Sequence, residues 1–403
     1  MSCQERLYEW RAEVAEHLPH LRWPEATVLA LWSLGMVLAR SCGLTAVATV
    51  LAAGLGLKEN SLRQQLREWC YDAEDKRGAR RRALAVEACF APLLGWVLSW
   101  WTGTQLALAI DATSLGTRFV VLTVSVVYRG CAIPVAWVVL PANRPRAWRR
   151  EWLRLLRLLR PAVPPGFTVI VLADRGLYAR WLYRRITRLG WHPFLRVNAG
   201  GTFRPRGQAR YRPLGGFAPA PGAAWAGTGT AFQGGDRRLD CTLLARWEAG
   251  CAQPWLILTD LPPAAADAGW YGLRAWIEQG FKLAKRGGWQ WQRTQMTDPD
   301  RAARLWLAVA VATLWLVSIG GAADAAIAES TLPLLPGAGP RRPRRATTLR
   351  LVSVFRRGFA LWLAALLNDR PLPTGRFRPE PWPIAPLRFV RTHPSGPVAT
   401  DAA

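Results

Sequence analysis

The sequence has few of the residues that mark a secreted, zinc-binding or disulfide-stabilised protein. Its seven cysteines are scattered without a C-x-x-C pair, and it has only four histidines. This pattern argues against a disulfide framework and against a zinc site, and it is typical of a reduced, cytosolic chain. The N-terminal segment MSCQERLYEWRAEVAEHL is charged and amphipathic, whereas a signal peptide needs an apolar centre, so we do not expect secretion.

Long uncharged stretches are also scarce. Residues 305–323, LWLAVAVATLWLVSIGGAA, form a single uncharged stretch that is barely long enough to cross a bilayer. A helix buried in a large core has the same composition. The Gly-Gly pair and the lack of a second comparable stretch favour burial, so we expect no membrane partner.

Acidic residues are outnumbered, with 27 against 53 basic residues, which gives a net charge of +26. Nearly all basic residues are arginines, since the lysines are only Lys58, Lys76, Lys282 and Lys285. A GC-rich genome would explain the preference for arginine but not the excess of positive charge. Binding to a phosphate backbone explains that excess, so we expect double-stranded DNA as a partner.

Residues 1–100 have apolar residues at helical spacing, which predicts a helical N-terminal module. Within it, LTAVATVLAAGLGLKENSLRQQLREW has two helical segments around a glycine-containing turn, with Lys58, Arg63 and Arg67 in or near the second. A DNA-binding helix-turn-helix and two ordinary packed helices are both compatible with this pattern.

After residue 100 the spacing of apolar residues changes from helical to strand-like. We interpret residues 101–320 as a catalytic core. Three strand-like runs, QLALAID, FVVLTVSVVYRG and IPVAWVVLP, predict an antiparallel meander. A helix, the strand FTVIVLAD, a helix over 177–189 and the strand HPFLRVN follow. This order predicts an α/β fold of the ribonuclease H-like type, a mixed sheet with helices on both sides.

Two further segments have loop-rich composition. Residues 199–260 predict a mostly β insertion, and its loop carries an arginine group that could follow DNA or be solvated, formed by Arg204, Arg206, Arg210 and Arg212 with Tyr211. Residues 321–403 predict a linker, a helix over about 347–367 and a Pro-rich basic tail. The linker arginines, expected to be a basic tether, are Arg341, Arg342, Arg344 and Arg345.

A predicted helix over residues 268–286 carries the most distinctive polar pattern. At about 100° per residue, five side chains fall on or beside one face, while Leu273, Ile277, Phe281 and Ala284 form an apolar face. The polar face could look into a cleft or could be a solvated face with an Arg274–Glu278 ion pair. Its members are Tyr271, Arg274, Glu278, Lys282 and Lys285.

Two aspartates are predicted at strand ends. Asp111 follows the run LALAI, and Asp174 follows VIVLA directly before Arg175. Either one alone could be an ordinary turn or helix-capping residue. Two strand-end aspartates followed by a glutamate on a later helix, in ribonuclease H-like order, predict that Asp111, Asp174 and Glu278 form one catalytic site.

Tyr271, Arg274, Glu278 and Lys285 match the Y-x2-R-x3-E-x6-K signature, and the sequence therefore resembles the insertion-sequence-four group of bacterial DDE transposases. With Asp111 and Asp174, the resemblance covers about residues 105–320. It implies cut-and-paste transposition: binding of terminal inverted repeats, metal-dependent phosphodiester hydrolysis, and strand transfer. It also implies a cytoplasmic, nucleoid-associated protein that acts as a homodimer on DNA.

The resemblance implies roles for the site residues. Asp111 would bridge two Mg²⁺ ions, with Mn²⁺ as the alternative, and Asp174 and Glu278 would hold one each. Residues expected to contact DNA are Tyr271, Arg274, Lys282, Lys285 and, by its position beside Asp174, Arg175, which could instead orient that aspartate. The hairpin intermediate of this group implies an aromatic side chain that stacks on a flipped base, with Trp225, Trp247 and Trp255 among the candidates.

Three other functions remain open from the sequence. A catalytically inactive or domesticated DNA-binding protein would keep the charge but has no need of the acidic residues. A metal-dependent nuclease without strand transfer would keep both the positive charge and the acidic residues. A membrane protein built around residues 305–323 would need neither the positive charge nor the acidic residues.

Overall fold

The computed structural model describes residues 2–78, 81–142, 148–326 and 352–382, in which helices cover both faces of one large sheet. The helices are α1 (Cys3–His17), α2 (Trp23–Ala39), α3 (Leu44–Leu55), α4 (Glu59–Trp69), α5 (Phe90–Ser99), α6 (Arg149–Leu159), α7 (Arg180–Arg188), α8 (Trp276–Lys282), α9 (Pro299–Ala326) and α10 (Val354–Leu367). The strands are β1 (Gln105–Leu115), β2 (Phe119–Tyr128), β3 (Cys131–Pro141), β4 (Thr168–Ala173), β5 (His192–Arg196), β6 (Thr202–Pro205), β7 (Arg212–Pro213), β8 (Ala224–Ala231), β9 (Leu239–Arg246) and β10 (Trp255–Thr259).

The predicted meander is confirmed, because β1, β2 and β3 pair in antiparallel fashion. Arg129 and Gly130 join β2 to β3, and both have positive φ, 44° and 81°. A two-residue turn of this mirror-image type matches the twist of the strands that it joins. On its other side β1 pairs in parallel with β4, and β4 pairs in parallel with β5. The fold is therefore α/β with a mixed sheet.

The strands of residues 199–260 extend this sheet. The strand order is β3-β2-β1-β4-β5-β10-β9-β8-β6-β7, with β10 antiparallel to both β5 and β9. Five strands, β6 to β10, lie within the segment that the sequence predicted to be mostly β. Because β10 pairs directly with β5, strands β1–β5 and strands β6–β10 form one continuous sheet.

The core strands are apolar on both faces, as expected for strands covered by helices on each side. Along β4, Val169 and Val171 lie in the larger buried cluster, which includes residues of α6, α7 and α9. Ile170 and Leu172 lie in the smaller cluster, beneath α8 and the helical turns before it. Because successive side chains of a strand point to opposite faces of the sheet, one face carries the N-terminal helices and the other carries α8.

Helix α9 contains the uncharged stretch. By length and composition alone α9 could cross a membrane, as could α2 and α3 if they formed one span bent by 93°. The most apolar window of α9 is 94% buried, and the helix packs on β3, α2 and α10. This burial agrees with the expectation of a core helix.

The helix predicted over residues 268–286 has three kinds of winding. Residues Ala268–Ala275 form a 3-10 helix, α8 follows, and Leu283–Gly287 form a π-helical turn. A 3-10 helix has three residues per turn, so Tyr271 and Arg274 lie one above the other. Of the helix predicted over 347–367, α10 begins at Val354; residues 347–351 and the linker arginines lie outside the described residues.

Candidate active site

The two aspartates lie side by side at the point where β1 and β4 separate. The parallel pairing of these strands ends at Ile110 and Ala173, so Asp111 and Asp174 are the next residues on neighbouring strands. Asp174 follows β4, as predicted. The prediction that Asp111 ends its strand is wrong, because β1 continues to Leu115 and Asp111 is opposite Thr123 of β2. The hairpin with β2 keeps this part of β1 extended after β4 has ended.

Strand parity directs both aspartates toward α8. Residues two positions before them, Ala109 and Leu172, face the cluster beneath that helix. Each aspartate is fixed by its own backbone, since Asp111 Oδ1 accepts from the Ala112 N–H at 2.8 Å and Asp174 Oδ1 from the Arg175 N–H at 2.5 Å. The second carboxylate oxygen of each aspartate, Oδ2, faces Arg274.

Arg274 contacts all three predicted catalytic acids. Its Nη2 lies 2.7 Å from Asp111 Oδ2 and 3.6 Å from Asp174 Oδ2. Its Nη1 lies 3.0 Å from Glu278 Oε1. The two aspartate oxygens share one nitrogen, so their separation cannot exceed the sum of the first two distances. Three acids from distant parts of the chain therefore surround one guanidinium group.

The side chains of this cluster differ in their exposure to solvent. The Arg274 side chain is 11% exposed and that of Asp111 20%, whereas those of Asp174 and Glu278 are 39% and 56% exposed. Burial raises the pKa of the Asp111 carboxyl above its usual value, although the Arg274 guanidinium opposes the shift. Burial alone would lower the pKa of Arg274, but Tyr271 and the three carboxylates raise it by more, so Arg274 stays charged.

A cleft of about 490 Å³ opens beside Asp174 and Arg274. Arg175 and Arg196 contribute two further cations to its wall. Arg175 Nη1 donates to Gln253 Oε1 at 2.7 Å. The cleft thus places positive charge next to a cluster of carboxylates, as binding of a phosphodiester near a metal site requires.

Tyr271 is in the wall of this cleft but is only 5% exposed. Its ring packs edge-on against Trp255 at 5.5 Å between centroids, and burial raises the pKa of its hydroxyl well above the usual range. The hydroxyl therefore remains protonated and can act as a hydrogen-bond donor. Of the candidate aromatic residues, Trp255 lines the cleft, whereas Trp225 packs on Phe217 in the extended part of the sheet.

The two signature-region lysines extend from the same helical segment. Lys282 is exposed at the end of α8, and Lys285 is partly buried in the π-helical turn. Burial lowers the pKa of Lys285, and Arg286 acts in the same direction. Within the described ranges neither lysine forms an ion pair with a carboxylate, so both can contact an external anion.

A family model for the transposase DDE domain matches residues 102–315, from the start of β1 into α9. The match covers just over half of the chain. The chain belongs to the DDE transposase family. No curated protein matches the transposase. The matched region contains Asp111, Asp174, Arg274 and Glu278, and it leaves out the N-terminal helices α1–α5.

Membership of this family implies dependence on a divalent metal. Three carboxylates supply the hard oxygen ligands that Mg²⁺ prefers, so the chemistry of the donor set fits the ion. As they stand, no three His, Cys, Asp or Glu side chains in the described part of the transposase are close enough together to hold a metal ion. Each of the three acids instead contacts the guanidinium group of Arg274.

Sequence reasoning missed two residues of the cleft. Arg196 ends β5 and Gln253 precedes β10, and neither belongs to a recognisable motif. The antiparallel pairing of β10 with β5 brings them together. The clue in the sequence was the strand HPFLRVN, in which Arg196 interrupts the apolar residues between His192 and Asn198.

Proposed function

We propose that this transposase is an active enzyme of the insertion-sequence-four group, which cuts DNA at the ends of a mobile element and joins those ends to new DNA. The observation that carries the proposal is the contact of Arg274 with Asp111, Asp174 and Glu278. An inactive DNA-binding protein has no use for three acids gathered at the mouth of a basic cleft. The Y-x2-R-x3-E-x6-K spacing of Tyr271, Arg274, Glu278 and Lys285 supports the assignment to this group.

The sheet also supports a ribonuclease H-like core. In this interpretation β1–β5, with order β3-β2-β1-β4-β5, are the core strands, and the strands of residues 199–260 are an insertion before α8. We assign residues 1–100 to a helical module, 101–320 to the catalytic core and 321–403 to the C-terminal part. The buried side chains of the N-terminal helices and α9 belong to one cluster, so we expect the helical module to need the core for stability.

In the proposed mechanism, Asp111, Asp174 and Glu278 would hold two Mg²⁺ ions, or Mn²⁺ in their place. The ions would activate the attacking oxygen and stabilise the leaving oxygen of the phosphodiester. Arg274 would leave the carboxylates and donate to a phosphate oxygen, since guanidinium groups bind carboxylate and phosphate in the same way. Arg175, Lys282 and Lys285 would fix the DNA backbone, and the Tyr271 hydroxyl would donate to it.

The substrate in this proposal is double-stranded DNA with the terminal inverted repeats of the element. Two ends would be held by a homodimer in the DNA complex. Such an enzyme works at the nucleoid in the cytoplasm of a bacterial host.

The decisive experiment compares cleavage by single variants of the three acids. We expect Asp111→Asn, Asp174→Asn and Glu278→Gln each to reduce cleavage of an inverted-repeat DNA in Mg²⁺ by about 100-fold or more, because each loses ligand charge at the transition state. DNA binding without metal should be nearly unchanged. Asp260→Asn is the matched control, since Asp260 also follows a strand but contacts His192 at 3.0 Å.

The products separate a transposase from a nuclease. Nicks at the repeat tip and joined end-to-target molecules support transposition, whereas unspecific cuts without joined products would show a nuclease. Near-normal cleavage by any one of the three variants would refute the assignment of that residue to the site.

A further inference from the structure

A second basic surface lies between α6 and α7, outside the site described above. A cavity of about 350 Å³ opens between the two helices. We name it the α6–α7 groove. Its charged and aromatic lining consists of Arg149 from α6 with Arg180, Trp181, Arg184, Arg185 and Arg188 from α7.

The groove is strongly basic, because five arginines line it. In the part of the chain that the structure describes, none of its five arginines forms an ion pair with a carboxylate. The Nε atoms of Arg180 and Arg185 are buried and have no hydrogen-bond partner. Residues 175–235 contain no aspartate or glutamate at all. Five guanidinium groups around one cavity repel each other, so this arrangement favours binding of a polyanion.

The spacing of the arginines suits an extended anion. Arg180, Arg184 and Arg188 are four residues apart, so they form a row along one side of α7. Such a row is about 12 Å long, and one DNA strand carries a phosphate about every 3.4 Å of helix axis. Trp181 supports the groove from within, since the Arg149 guanidinium lies 5.8 Å from the centre of its ring.

The groove and the catalytic acids are on opposite faces of the sheet. Leu156 of α6 and Ile186 of α7 are buried in the cluster that contains Val169 and Val171 of β4. Ile277 of α8 is buried in the other cluster. Both surfaces nevertheless reach the C-terminal end of β4, because Asp174 follows this strand and α7 begins six residues later. DNA that leaves the site past this end of β4 would pass the N-terminal end of α7.

We propose that the α6–α7 groove binds the phosphodiester backbone of duplex DNA away from the phosphate that is cut, without regard to base sequence. The choice of DNA as the anion rests on the proposed function. The groove offers guanidinium groups and one partly buried aromatic ring, and its arginines form a row along α7 that can follow the phosphates of one strand. Arginine can read guanine edges as well, but among the residues that the structure describes the lining has no Asn, Gln, Ser, Thr, Asp or Glu, the other side chains that distinguish base pairs.

The test is a salt titration of DNA binding by two matched double variants. Arg184→Gln/Arg188→Gln removes two exposed arginines that line the groove. Arg150→Gln/Arg157→Gln removes two exposed arginines of α6 that do not line it. The probe is a linear duplex of unrelated sequence without divalent metal. We expect the slope of log K against log salt to fall in magnitude by about two for the groove variant and to stay near the parent value for the control.

An equal change in both variants would show a general effect of net charge and would overturn the proposal, as would an unchanged slope in the groove variant. Circular dichroism and thermal unfolding check that both variants are folded, and Arg184→Lys/Arg188→Lys should restore most of the slope if the first variant is destabilised. Because binding is measured without metal, the result does not depend on whether Asp111, Asp174 and Glu278 are catalytic. Failure of the groove and failure of the proposed active site are therefore distinguishable.

Discussion

At the scale of single residues, Arg274 has the most informative environment. Its guanidinium faces three carboxylates in a protein whose net charge is +26, so the local excess of negative charge is opposite to that of the whole chain. Carboxylates so close together repel each other unless a cation stands among them. Arg274 has this role in the structure, and in the proposed mechanism a divalent ion would take its place.

We therefore predict that Arg274→Gln binds Mg²⁺ about tenfold more tightly than the parent protein, because the ion no longer displaces a bound cation. The measurement is the rise in thermal unfolding temperature with added MgCl₂ in the absence of DNA. Arg175→Gln is the matched control, since its guanidinium contacts Gln253. An equal or smaller effect of Mg²⁺ on Arg274→Gln would contradict the proposed exchange.

Part of this site was predictable from the sequence. The four-residue spacing of Arg274 and Glu278 is local, so the sequence predicted their contact on one helix. The bond from Arg274 to Asp111 joins residues 163 positions apart and depends on the packing of α8 against the sheet. No local pattern could show that Arg274 points at Asp111.

At the scale of elements, most strands and helices follow from local periodicity, but their winding and exact ends do not. The predicted continuous helix over residues 268–286 is α-helical only from Trp276 to Lys282. Tertiary contacts set the rest: Tyr271 packs on Trp255 of β10, and the Gly280 backbone approaches Ala132 of β3. Such contacts are made with residues far away in the sequence, so helical periodicity could not reveal them.

The contact of α9 with α10 depends on two glycines. A Cβ atom at Gly358 would collide with the Leu316 carbonyl oxygen, and one at Gly320 with the Val354 carbonyl oxygen. We predict that Gly358→Ala lowers the free energy of unfolding by about 1–3 kcal/mol or more, because the backbones must move apart. Chemical denaturation measures the change.

Gly95→Ala in α5 is the matched control for this variant. A Cβ atom there meets nothing within 4 Å, so the substitution should be neutral or stabilising by up to about 1 kcal/mol through helix propensity. A Gly358→Ala variant as stable as Gly95→Ala would show that α9 and α10 do not pack so closely.

At the scale of the whole molecule, a buried ion-pair cluster joins segments that are far apart in the chain. Arg129, in the turn between β2 and β3, has its Nη1 2.9 Å from Asp324 Oδ2 of α9 and 2.7 Å from Glu380 Oε1 of the C-terminal segment. Arg129 and Asp324 are almost fully buried. The cluster therefore fixes the C-terminal segment and α9 to the edge of the sheet.

We predict that Arg129→Gln lowers the free energy of unfolding by about 3–5 kcal/mol, because Asp324 stays buried without that guanidinium. Asp324→Asn in the same chain should recover part of the loss, as a double-mutant cycle would show. Arg157→Gln, an exposed arginine of α6, should change stability by about 0.5 kcal/mol or less. A loss of that small size in Arg129→Gln would contradict a structural role for the cluster.

The sequence by itself determined the α/β class and the meander of β1–β3, because these depend on local period and composition. It also named Asp111, Asp174 and Glu278 as candidates and favoured burial of the uncharged stretch in α9 over a membrane span. Only the tertiary structure decided that Arg274 stands among the acids, that Tyr271 is buried, that β10 pairs with β5, and that α6 and α7 form a groove lined by arginines. These features depend on which distant surfaces meet. The local sequence of a segment indicates whether it forms a helix or a strand, but not the distant residues against which that helix or strand packs.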